Sequence, residues 1–144
     1  MIALGIVLSA ILTALALLHL AWGAKIWWPV RDEAALTHAI AGFRGMARMP
    51  DTLSCLVVAL ALFTCALLVA ALSFASGLPW LPDTLVLIAS GIAGLVFLSR
   101  GLAGYTSAWA RLTPEQPFRT LDRRYYSPLC IGVGLGIAAL IWSN

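Results

Sequence analysis

The chain has 144 residues, 62% of them hydrophobic and only 10% charged, with a net charge of +3. A soluble domain carries roughly 25% charged residues, so this composition excludes a water-exposed globule and defines an integral membrane protein. The small net charge, its cations clustered in two places, also argues against nucleic acid as a partner.

Ile2 to Trp22 is an uninterrupted apolar run of about 20 residues, the length that crosses a bilayer. A cleaved signal peptide fits it poorly. No Lys or Arg precedes the run, it is too long, and no clean small-x-small site follows. Gly5, Ser9 and Thr13 repeat every four residues, a ridge suited to close helix packing. Lys25 and the pair Trp27–Trp28 then read as an interfacial anchor.

Asp32 and Glu33 open a short amphipathic helix expected to reach Met49, with Leu36, Ile40 and Phe43 at helical spacing. It either lies in the headgroup plane or packs on the bundle. Thr52 to Ser76 is an uncharged second span, and residues 77–82, with Trp80 between two prolines, form a connector. Asp83 or Thr84 is expected to cap a third span over 83–104, whose helix could continue to Arg111. Ser127 as N-cap and Pro128 at the first helical position open a fourth span, 127–143, with Gly132 and Gly136 at GxxxG spacing. The fold class is all-α: one domain of four transmembrane helices, with a short amphipathic helix between the first two. Each half repeats a helix, a long basic segment and a helix, but the identity between halves is too low to carry weight.

All nine cationic residues fall in residues 24–51 and 100–126. The positive-inside rule makes that side cytoplasmic, with both termini outside and the inner membrane as location.

This orientation gathers polar side chains at one depth. His19 lies near the cytoplasmic end of the first helix and shares a face with Trp22. An ionisable residue inside a span marks a functional site by default; the competing reading is an imidazole that pins two helices. Arg100 ends the third span, and Asp122 is the one carboxylate in PFRTLDRRYYSPLC (Pro117–Cys130). The two are expected to pair; the alternative for Arg100 is to snorkel to headgroups. The start of the fourth helix, with free N–H groups and Arg119, Arg123 and Arg124 just upstream, favours an anion. Cys130 would there be a reactive thiolate or a small buried hydrophobe. Tyr125 and Tyr126 read as interfacial aromatics, with one hydroxyl able to face the site.

No H-x-x-x-H or C-x-x-C spacing supports a metal made from His19, His38, Cys55 or Cys130, and no cofactor is indicated. Cys55 and Cys65, about 15 Å apart along one helix, are too distant for a disulfide. No span contains the carboxylate a proton-coupled exporter needs. The paired cysteines of a thiol oxidoreductase and a C-x-x-C-H haem site are missing.

HLAWG (His19–Gly23), FLSRG (Phe97–Gly101) and FRTLDRRYYSPLC resemble a family of small bacterial four-helix membrane proteins known as a domain of unknown function. That family has a His/Trp signature in its first helix and D-x-x-x-Y-S-P-L-C before its fourth. The resemblance implies the four-helix fold and singles out His19, Trp22, Arg100, Asp122, Tyr126, Ser127, Pro128 and Cys130. It implies no activity.

Three functions fit. The first is binding of an anionic or lipid-like molecule by His19, Trp22, Arg100, Arg119, Asp122, Arg123, Tyr126 and Ser127. The second is a membrane-embedded enzyme with His19 as acid/base or Cys130 as nucleophile. The third is a structural subunit. The expected partners are the bilayer, such a ligand, and further copies of the chain in a homo-oligomer.

Overall fold

The computed structural model describes residues 1–74 and 81–143, and these are helical with no strand. Four helical stretches are long and apolar enough to cross a membrane. They are α1 (Ile2–Gly23), α3 (Thr52–Ser73), α4 (Asp83–Ala103) and the continuous stretch Phe118–Trp142. That last stretch consists of α6 (Phe118–Leu121), a π-helical turn over Asp122–Tyr126, and α7 (Ser127–Trp142). Two short helices, α2 (Glu33–Ile40) and α5 (Ser107–Leu112), occupy the polar connections.

The long helices associate as two close pairs, α1 with α3 and α4 with α7. Small residues set both approaches, because lipid tails provide no hydrophobic drive and close backbone packing must substitute for it. On α1, a Cβ on Gly5 would lie inside the Ser73 side chain, and Ser9 Oγ donates to Ala66 O at 3.2 Å. Between α4 and α7, a Cβ on Gly134 would lie 2.9 Å from Gly94 O, and one on Gly101 2.8 Å from Ser127 O. Leu8, Leu12, Val69, Leu72, Val133, Ile137 and Leu140 join the pairs into one core. Ile6, Val7, Leu60, Leu95, Val96 and Leu135 point outward, where acyl chains would meet them.

Several expected boundaries shift. The GxxxG reading of α7 is half right: Gly136 packs on Leu8, but Gly132 faces open space, and the tight contact falls to Gly134. The helix expected to reach Met49 ends at Ile40. Ala41 is extended, Gly42 leaves no room for a Cβ beside the Phe118 ring, and Gly45 has a positive φ. The end of the second expected span, residues 75–76, and the connector with Trp80 lie outside the described residues. Asp83 is the first residue of α4 and does not cap it; Pro82 stands at the cap and its carbonyl accepts from Leu85 and Val86. The continuation to Arg111 is broken at residues 104–106, where Thr106 Oγ1 caps α5 by accepting from Trp109 N at 3.2 Å.

The largest difference is at the fourth span. Ser127 caps nothing, because the chain is already helical from Phe118. Ser127 N–H donates to Asp122 O, five residues back, in place of the usual four. Proline explains the need. Pro128 has no N–H to give and its ring crowds the carbonyl of the preceding turn, so the helix widens there. The next π-type acceptor, Arg123 O, would have taken the N–H that Pro128 lacks. Tyr105 hydroxyl donates to it at 3.0 Å instead.

Candidate functional site

α1 and α4 both finish at the end of the bundle that carries the long polar connections. There Tyr126 hydroxyl donates to Ala39 O at 3.0 Å and Glu115 N–H to Gly42 O at 3.2 Å. The two basic segments therefore meet. The polar residues expected to form one constellation are nonetheless divided into two, one on each helix pair.

The first group centres on Asp122, which is fully buried. Its Oδ1 lies 2.7 Å from Arg100 Nη2 and accepts from Ser127 Oγ at 3.2 Å, while Oδ2 accepts from Trp109 Nε1 at 2.9 Å. The expected Arg100–Asp122 pair is thus present, and it is the one ion pair among the described residues. The π turn makes it possible by bringing Asp122 and Ser127 onto the same side. About 31% of the Arg100 side chain is exposed, yet Nη1 is enclosed and has no hydrogen-bond acceptor. The Trp109 ring, 4.7 Å from the guanidinium carbon, serves that face as a cation–π partner. Arg119 Nη1 donates to Gly104 O at 2.9 Å, and Gly104 must be glycine because a Cβ would overlap Ser127 Oγ. The carboxylate and guanidinium of this group therefore answer each other.

Trp109 and Tyr105 are the members that the sequence did not single out. Their signal is positional: both lie in the aromatic-bearing connection between Arg100 and Asp122, at a spacing a broken helix makes hard to interpret. Arg123 and Arg124 are exposed and lie over Tyr105 and Tyr125 at 6.0 and 5.4 Å. Cys130 is half-buried and makes no hydrogen bond among the described residues. No free helix terminus stands at Ser127 to favour a thiolate there. An anion seat at that terminus is removed for the same reason.

The second group lies between α1, α3 and the loop after α2. His19 Nδ1 is 2.8 Å from Leu15 O, so that nitrogen carries the proton, and its ring stands 4.9 Å from Trp22. Trp22 is buried and donates from Nε1 to Trp28 O at 2.9 Å. A hollow of about 180 Å³ opens beside them, walled by Ile40, Met49, Pro50, Cys55 and Val58. A second hollow, of about 350 Å³, shares Trp22, Met49 and Pro50 with the first and is lined further by Lys25, Trp27, Glu33, Arg48 and Asp51. One is mostly apolar and the other carries both signs of charge.

Hydrogen bonds hold this second wall in place. Glu33 Oε1 accepts from Met49 N at 3.2 Å, closing the loop from α2 back to α3. Asp51 Oδ1 caps α3 by accepting from Ser54 N at 3.3 Å, and also takes the Ser54 hydroxyl. Lys25 sits at the left-handed position of a Schellman motif ending α1. Its φ is +61°, its N–H donates to Trp22 O, and Ile26 N–H donates to Ala21 O. Glycine is the unstrained residue there; a lysine costs about 1 kcal/mol or more in backbone strain. Lys25 thus lines this hollow from a strained backbone position.

Neither group brings together three His, Cys, Asp or Glu side chains able to hold a metal, among the described residues. His19 and Cys55 share a wall, whereas Cys130 lies on the other helix pair.

Four apolar spans, with the two long polar connections at the end that carries both groups, define a multi-pass helical membrane protein. The chain belongs to the family described as protein of unknown function (DUF3995), which it matches over residues 12–137. That range contains both polar groups. No curated protein and no solved structure matches the chain.

Proposed function

We propose that the protein binds an amphipathic, lipid-like molecule at the cytoplasmic end of the bundle, in the paired hollows beside His19 and Trp22. The observation that carries this reading is the junction of an apolar hollow with a charged one across a common wall of Trp22, Met49 and Pro50. A molecule with a charged head and an apolar body matches that sequence of surroundings. The charged hollow, about 350 Å³, suits a headgroup, and the apolar one, about 180 Å³, the first segment of a chain. The rim residues Ser54 and Val58 are exposed on the outer face of α3, which gives an acyl chain a route from the bilayer.

The cytoplasmic side, and with it the inner membrane and external termini, is supported by the charge pattern, since all nine Lys and Arg fall in the segments at this end. Arg100, Asp122 and Ser127 act in this reading as the clasp of the α4–α7 pair.

The test is native mass spectrometry of the purified protein titrated with short-chain phosphatidylethanolamine and phosphatidylglycerol. Val58→Trp, which obstructs the rim of the apolar hollow, and Lys25→Gly, which removes one of the two head cations, are each expected to weaken binding of the preferred lipid about tenfold. Lys25→Gly should do so with an unchanged or higher melting temperature, because it relieves the left-handed strain. Wild-type affinity in both variants, or no specific adduct with either lipid, overturns the reading.

A further inference from the structure

We infer that the headgroup this site takes is zwitterionic, an ammonium and a phosphate on one short linker, as in an ethanolamine phospholipid. The inference rests on the binding site proposed above and names the chemistry of its ligand. Lys25, Arg48, Glu33 and Asp51 all line the same hollow of about 350 Å³, two cations and two carboxylates. None of the four is ion-paired with another described residue, since the one such pair lies at Arg100 and Asp122. Lys25, Arg48 and Asp51 are exposed, where ion pairing gains little, and each carboxylate makes a backbone contact instead. Glu33 is tied to Met49 N through Oε1, and Asp51 to the first turn of α3 through Oδ1. Glu33 Oε2 and Asp51 Oδ2 take no hydrogen bond from any described residue, so each carboxylate keeps an acceptor for an incoming N–H.

The charge pattern selects between headgroups. A purely anionic head gains from Lys25 and Arg48 but is repelled by the two carboxylates beside them. A purely cationic head meets the reverse. A primary ammonium next to a phosphate satisfies both, because it donates charge-assisted hydrogen bonds to the carboxylates while the phosphate accepts from the lysine and arginine. Electrostatic arrangement of this sort confers specificity more than raw affinity.

The experiment compares phosphatidylethanolamine, phosphatidylglycerol and free phosphoethanolamine on the full chain by the same titration, with wild type and the double variant Glu33→Gln/Asp51→Asn. Both substitutions keep the hydrogen-bond acceptors, so the loop tie and the α3 cap survive; a melting temperature close to wild type verifies that. Wild type is expected to bind phosphatidylethanolamine about tenfold more tightly than phosphatidylglycerol, and the double variant to lose that preference. Phosphatidylglycerol bound as tightly as phosphatidylethanolamine, or a preference unchanged in the double variant, overturns the inference while leaving the amphipathic site intact. Free phosphoethanolamine should bind at least about tenfold more weakly than the lipid. Equal binding would assign a water-soluble ligand and overturn the lipid-like reading itself.

Discussion

The two polar groups stand at the same end of one bundle and are built from similar residues, yet they are in opposite states. Around Asp122 the central charges are answered from within the chain. The carboxylate meets a guanidinium, an indole and a hydroxyl, and the guanidinium face left over lies on the same indole. Around the charged hollow, two basic and two acidic side chains line one space without ion pairing. In a chain with so few charges, a set that balances itself locks helices together. A set left open keeps its charges available, which is what the proposed ligand site requires. The signature residues of the last span therefore belong mainly to the lock, and the recognition surface proposed here belongs to the less conspicuous half of the chain.

The largest effect is expected where the lock is broken. Asp122→Ala strands the Arg100 charge, the Trp109 N–H and the Ser127 hydroxyl together. A loss of about 3 kcal/mol in unfolding free energy is expected, as for the removal of one partner from an enclosed pair. Denaturant unfolding in detergent micelles measures it. Adding Arg100→Met in the same chain should recover much of the loss, and a double variant no more stable than Asp122→Ala would show that the pair does not act as a unit.

A smaller effect is expected at Gly104, where a methyl group would overlap Ser127 Oγ. Gly104→Ala should cost about 1–3 kcal/mol by overpacking, without altering the lipid binding proposed for the other helix pair. If it abolishes that binding at unchanged stability, the two groups are coupled and do not act as separate lock and site. Smallest of all is Gly132→Ala. This glycine faces open space, so alanine should stabilise α7 by up to about 1 kcal/mol through helix propensity alone. A destabilisation in membranes would instead reveal a helix docking on that face.

Much of this was legible in the residues. The apolar runs mark the membrane-crossing helices, because nothing but a helix satisfies backbone polar groups across a bilayer. Arg100 and Asp122 could be paired on paper because a charge so near a span requires a partner and few are available. Ser127–Pro128 misled for a physical reason. The pair opens helices so often that it reads as a beginning, and the same missing N–H serves equally well inside a widened turn. Trp109 was hidden because its role depends on the break at Gly104, and a tryptophan in a connection otherwise reads as interfacial. The hollows were invisible for a different reason. Met49, Pro50 and Asp51 acquire a wall only when the loop after Ile40 folds back onto α1, and the acceptor that ties it there, Glu33, lies sixteen residues away.

The turn at Asp122–Tyr126 has one more consequence. At about 100° per residue, five residues of regular α-helix would set Asp122 and Ser127 roughly 140° apart. The extra residue in the turn works as an angular shim. It indexes everything upstream, so the carboxylate is aimed by a residue count in the backbone and not by the identity of its neighbours. Exchanging Arg123, Arg124 or Tyr125 for other side chains leaves that aim untouched, whereas winding the same residues as regular α-helix would swing the acid away from Ser127.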